Sequence, residues 1–268
     1  MMKLTQKFSL GFFFILMIYS CKPNYDPIVV STEDFHLSVD RVIDAMVHDI
    51  FSPPVASRVF VYPNIAAYEI IAQNDSMYQS LEKQIEHLGA IPKAGKNKSI
   101  NHSLSALIAH IDLSRQLIFS EDKIKGFRDS LYTKWENINP VEFENSREYG
   151  LQVSEFIANW MNNDNYPQTR TMPKFRVDSE DESRWQPTPP SYMDGLEPHW
   201  NKIRPFILDS AAQFKPTPPP SFSMEKTSLF YKELQEVYDI SERITKKGDE
   251  SEEIAIAQFW DCNPYVSI

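Results

Sequence analysis

Proline sets the main limit on what this chain can fold into. Nineteen prolines stand against seven glycines, and more than half of the prolines fall between residues 162 and 225. A proline inside a helix removes a donor and clashes with the preceding turn, so long helices belong before and after that stretch. Scarce glycine withholds the positive-φ positions that tight hairpins and phosphate-cradling loops need, which argues against a turn-rich β chain or a nucleotide fold. No segment alternates with period two for long enough to make a strand. The remaining solution is all-α: a helical bundle with a proline- and aromatic-rich extended strap.

The apolar spacing supports this. Val39, Val42, Ile43, Met46, Val47 and Ile50 follow Phe35 at three- and four-residue steps, with Ser31 or Thr32 available as cap and Glu33 and Asp34 in the first turn. Pro53-Pro54 open a second segment, through about residue 73, that is apolar on nearly all sides and therefore belongs in the middle of the others. Pro63 is expected to kink it. A short helix over residues 80–88 and a basic loop follow. Residues 99–119 form a third long helix, and Ser120 is placed to cap another that carries Ile124, Phe127, Leu131, Trp135 and Ile138. Beyond Pro140 a fifth shows Tyr149, Val153, Phe156, Ile157, Trp160 and Met161. Past the strap, helices are expected over about 228–240 and 249–260. Within the strap, Trp185, Tyr192, Leu196, Trp200, Ile203, Phe206, Ile207 and Leu208 imply packing over the helices, since a linker has no use for such side chains.

Composition narrows the function. The 268 residues (31.1 kDa) are 42% hydrophobic and 24% charged, enough for a sizeable core and too apolar for wholesale disorder. A net charge of −10 and a pI near 5.1 argue against nucleic acid as partner. Two cysteines, Cys21 and Cys262, make neither a disulfide framework nor a four-thiolate metal site; Cys262 reads as a buried small hydrophobe. Lys3 and Lys7 precede an apolar run over residues 8–18, too short to span a bilayer of ~30 Å but suited to a secretory signal. Ile18-Tyr19-Ser20-Cys21 resembles the bacterial lipoprotein signal, with Tyr19 departing from it. On that reading residues 1–21 are the signal, Cys21 is lipidated, residues 22–32 are a tether and residues 33–268 are the helical domain. The protein is then exported and membrane-anchored, periplasmic or at the cell surface. Another secretory signal or an uncleaved anchor are the alternatives.

Local chemistry offers no convincing active site. The run from Gly89 through Lys96 to Asn97 has one residue too many between its glycines for a phosphate loop, and Asn97 stands where Ser or Thr must hold magnesium. His36, Asp40, Asp44 and His48 recur every four residues, but a helix turns ~40° per such step, so the row spans ~120° and cannot converge on one ion. His102 and His110 lie eight residues apart; His110, among apolar neighbours, reads as a hydrogen-bonded core histidine. No Gly-x-Ser-x-Gly or His-Glu-x-x-His occurs.

The strap carries a resemblance. Arg184-Trp185-Gln186-Pro187-Thr188-Pro189-Pro190-x-Tyr192, Leu196-Glu197-Pro198-His199-Trp200, Ile203-Arg204-Pro205-Phe206 and Phe214-Lys215-Pro216-Thr217-Pro218-Pro219-Pro220 occur in that order. With Ile254-Ala255-x-Ala257-x-Phe259-Trp260-Asp261, and with Ser57-Arg58-Val59 and Ala66-Ala67-Tyr68-Glu69 upstream, they resemble the bacterial branch of the vanadium-dependent haloperoxidases. That family belongs to the type 2 phosphatidic acid phosphatase superfamily. The resemblance covers roughly residues 33–268 and implies an all-α fold. It also implies an oxyanion pocket that holds vanadate or phosphate, built from a Lys and an Arg separated by six residues, a Ser-Gly-His, and an Arg and a His separated by five. None of these patterns occurs in this sequence. His199 and Arg204 belong to the strap, which precedes the pocket motifs in the family.

The resemblance therefore implies an N-terminal half whose catalytic half would begin about where Asn263-Pro264-Tyr265 stands, with vanadate expected only for a complete member; a fragment, a broken reading frame and a family member that has lost its chemistry all share this pattern. No catalytic, cofactor-binding or metal-ligating residue is assigned, and Cys21 is the one modified position. Two functions follow. One is the helical portion of an exported, tethered haloperoxidase or acid phosphatase. The other is a non-enzymatic surface lipoprotein that binds a ligand or partner.

Overall fold

The computed structural model describes residues 25–261 apart from 97, 190, 249 and 250. Eight α-helices and no strand occur among the described residues: α1 Thr32–His48, α2 Pro53–Ala72, α3 His102–Arg115, α4 Asp122–Ile138, α5 Pro140–Asn162, α6 Tyr166–Thr169, α7 Leu229–Lys247 and α8 Glu252–Trp260. The helix starts follow local chemistry. At α1 the Ser31 hydroxyl accepts from the Asp34 amide at 3.1 Å while the Asp34 carboxylate accepts from the Ser31 amide at 2.8 Å, a reciprocal capping box. Asn101 caps α3. Asn139 ends α4 and caps α5, with Pro140 taking the first position, where no amide hydrogen is needed.

α2 is one continuous helix with Pro63 inside it. Two details depart from the sequence expectation. The expected helix over residues 80–88 contracts to one 3₁₀ turn, Leu81–Lys83. The start of α4 is not capped by the Ser120 side chain, which donates instead to the Asp49 carboxylate. Asp49, at the end of α1, also accepts from the amides of Phe119 and Ser120 at 2.9 and 3.0 Å. Burial pushes the Asp49 pKa up, but these hydrogen bonds outweigh it and lower it to about 2. His48 Nδ1 lies 3.1 Å from the same Ser120 hydroxyl. This is not a nucleophilic triad, because serine and aspartate meet the same imidazole nitrogen.

The centre of the bundle is α3, packed against α1, α2, α4 and α5. Leu104, Leu107, Ile108 and Ile111 are sealed on all sides, and two apolar clusters flank the helix: one with α2 and α5, the other with α1, α4 and the buried Trp135. Its small residues explain the close approach of α5. The Ser105 hydroxyl donates to the Ser146 carbonyl at 2.9 Å, and the Ser146 hydroxyl accepts from the Asn101 amide at 2.8 Å. A Cβ on Gly150 would stand 2.6 Å from the Ser105 carbonyl oxygen and 3.2 Å from Ile108. Gly150→Ala is therefore expected to destabilise the chain by about 1–3 kcal/mol in urea unfolding, despite the better helix propensity of alanine. An unchanged midpoint would show that α3 and α5 separate freely.

After α5 the chain becomes the strap. It holds the short α6, a 3₁₀ turn at Trp200–Lys202 and otherwise irregular backbone. Its packing is more local than its aromatic content implies. Trp200, Ile203 and Phe206 are half-buried, whereas Trp185, Tyr192, Leu196, Ile207 and Leu208 stand exposed. The reason lies in the fasteners, which concentrate on residues 199–206. Among the described residues no helix is long and apolar enough to cross a membrane.

Candidate functional site

The fastening point is built on Asp164. α5 ends at Asn162, and the Asp164 amide donates back to the Met161 carbonyl at 2.9 Å, turning the carboxylate under the bundle end. Arg58 and Tyr62, one turn apart on α2, share a face and reach it together. Arg58 Nε donates to Asp164 Oδ2 at 2.7 Å, and the Tyr62 hydroxyl donates to the same oxygen at 2.8 Å. The Tyr166 amide donates to Oδ1 at 2.8 Å. Asp164 is wholly buried and the Arg58 side chain is 9% exposed. The Arg58 guanidinium also lies 4.4 Å from the Tyr166 ring and 5.2 Å from that of Tyr62.

The strap closes on this group from outside. The Arg204 amide donates to the Asp164 carbonyl at 2.9 Å. Its terminal nitrogens donate to the carbonyls of Trp160 and Asn163 at 3.1 and 3.3 Å, with the guanidinium 4.2 Å from the Trp160 ring. Phe206 then packs against both Tyr62 and Trp160, at 5.5 and 5.6 Å. A cavity of about 710 Å³ remains beside them, bounded by Ser57, Arg58, Val61, Phe206, Leu208 and Ala211 among others.

This arrangement fastens; it does not catalyse. Both Asp164 oxygens are occupied by donors. Burial, followed by the Asp164 charge and hydrogen bond, pushes the Tyr62 hydroxyl far above the ordinary tyrosine pKa, so it stays a proton donor. Vanadate is a tetrahedral anion and requires converging cationic donors. Here Arg58 is spent on a carboxylate that would repel an anion, and the terminal nitrogens of Arg204 face backbone carbonyls. These residues do not fit vanadate. No cluster of three or more His, Cys, Asp or Glu suited to a metal ion occurs among the described residues.

The residues singled out in the sequence scatter. His36, Asp40, Asp44 and His48 lie exposed along α1; Asp44 pairs with Arg41 and His48 with Asp49. His110 is buried with its Nδ1 2.8 Å from the Ser38 hydroxyl, as a core histidine should be. His102 is half-buried, which lowers its pKa. In the loop from Gly89, the Ile91 amide donates to the Glu82 carboxylate at 2.7 Å, where a phosphate would be repelled. His199 Nε2 lies 2.7 Å from the Pro173 carbonyl and does not converge with Arg204. Glu69 is sealed in the core, accepting from the Ser80 hydroxyl at 2.7 Å and the Leu81 amide at 2.5 Å. Cys21 and Cys262 lie outside the described residues. Asp164 and Tyr62 escaped sequence reasoning. The available signal was Arg58, a lone cation in a segment apolar all round, which needs a buried counter-charge.

Fold and fastener together define a helical-bundle protein closed by a riveted proline strap. No family model and no curated protein matches the chain. A crystal structure described as that of the first bacterial vanadium-dependent iodoperoxidase superposes with a TM-score of 0.88 at 62% identity, over 91% of this chain and 59% of that one. The chain belongs to the bacterial vanadium-dependent haloperoxidase family, as its strap motifs implied. It spans about 59% of the length of that iodoperoxidase chain.

Proposed function

We propose that this chain is the N-terminal scaffold of an exported, membrane-tethered vanadium-dependent haloperoxidase whose oxyanion pocket is carried by polypeptide outside these 268 residues. The observation that carries the reading is 62% identity to an iodoperoxidase over 91% of the chain, in a sequence without the pocket motifs. That identity favours peroxide-dependent halide oxidation over phosphomonoester hydrolysis. The scaffold's part is geometric: α3 seats the other helices, and the Asp164 group fixes where the strap leaves them.

The test joins these 268 residues to the part of the iodoperoxidase chain that they do not span. Peroxide-dependent iodide oxidation is then assayed with and without vanadate. The joined chain is expected to oxidise iodide only with vanadate, and the 268-residue chain not at all. Inactivity of a joined chain that is folded by circular dichroism would contradict the reading, as would turnover by the shorter chain.

The tether is tested separately. Cys21→Ser is expected to abolish incorporation of labelled palmitate and to move the protein from the membrane to the soluble fraction, because acyl-chain burial supplies the anchorage. Label retained in the variant would contradict lipidation at Cys21. Loss of label without release would assign the anchorage to the apolar run of residues 8–18.

A further inference from the structure

The two C-terminal helices are built as if to be covered. On α7, Phe230, Leu234, Val237, Ser241 and Ile244 follow one another at steps of four, three, four and three residues, the spacing of a helix–helix seam. Yet α7 buries no residue, and Val237 is 65% exposed. α8 likewise buries none, with Phe259 79% and Trp260 76% exposed. Lys247 donates to Glu253 at 2.6 Å and links the two helices. Exposed aromatic and aliphatic side chains in this density mark a contact surface.

We infer that the α7–α8 arm is a docking surface for the polypeptide that makes up the rest of the similar iodoperoxidase chain, the part this chain does not span. The inference deepens the proposed function and rests on it. The match over 91% of this chain leaves too few residues to omit both helices, so at least part of the arm lies within what the two chains share, while that chain is longer than the shared part. Charge points the same way. α7 carries four acidic and four basic residues, with no basic excess to draw it to an anionic lipid surface. A neutral helix with a seam on one face suits another helical surface.

The experiment reads thiol accessibility in the Cys21→Ser, Cys262→Ser background. Val237→Cys on the seam and Asp239→Cys on the opposite face are labelled with maleimide, in the 268-residue chain and in the joined chain. In the joined chain the thiol at position 237 is expected to react about tenfold more slowly or less, while that at 239 is unchanged. Equal rates at 237 in both chains would overturn the inference. Protection at 237 in the shorter chain that grows with concentration would also overturn it, in favour of a second copy as the occupant. Iodide oxidation by the same joined chain separates the two readings. Protection without oxidation keeps the docking surface and sinks the activity; oxidation without protection does the reverse.

Discussion

Asp164→Ala is expected to destabilise the bundle by about 3–5 kcal/mol, a large part of the stability of an ordinary domain. The cost has three sources on one carboxylate. Arg58 is left almost buried without its counter-charge, and the Tyr62 hydroxyl and the Tyr166 amide lose their acceptor. The strap also loosens, since Arg204 and Phe206 are placed by the turn that Asp164 holds. Asp164→Asn keeps the shape and the acceptor oxygen but not the charge, and is expected to cost less than the alanine variant. Urea unfolding followed by far-UV circular dichroism measures both. A loss below about 1 kcal/mol for Asp164→Ala would place Arg58 in contact with solvent and show that Asp164 does not fasten the strap.

The second large effect is a pH dependence carried by His110. Burial lowers its pKa from 6.5 to about 4, and its neutral ring rests against the Ser38 hydroxyl and 5.0 Å from Phe35. In the unfolded chain the imidazole takes up its proton near pH 6.5, before the folded one does. The stabilisation is therefore complete above about pH 6.5 and declines as the pH falls toward 4, by on the order of 3 kcal/mol over the whole window. His110→Gln has no proton to take up and is expected to flatten the stability profile between those values, whatever it costs at pH 8. A parallel profile for variant and parent would show that His110 is solvated when protonated.

Much of the fold is legible in the sequence, because its causes are local. Ser31 caps α1 where the apolar spacing begins, Asn139 and Pro140 start α5, and the prolines confine the long helices to their places. What escapes is set by distant contacts. Ser120 looks like a cap, yet its hydroxyl turns to Asp49, about seventy residues away in sequence. α2, the more apolar helix, reads as the central one. α3 takes the centre because Ser105 and Gly150 allow the backbones to approach, and side-chain hydropathy does not register this. The strap's rings imply burial along its whole length, but only its fastened part is covered. The family was legible from the order of strap motifs. The Asp164 group was visible only as the unexplained Arg58.

On the function proposed above, this polypeptide supplies helical framework, and the groups that grip a tetrahedral oxyanion lie outside it. Equilibrium dialysis of the purified 268-residue chain against orthovanadate is the decisive measurement, with thermal unfolding as a parallel readout. The expected result is no saturable uptake and an unchanged melting temperature. One vanadate bound per chain, displaced by phosphate and raising the melting temperature, would contradict it.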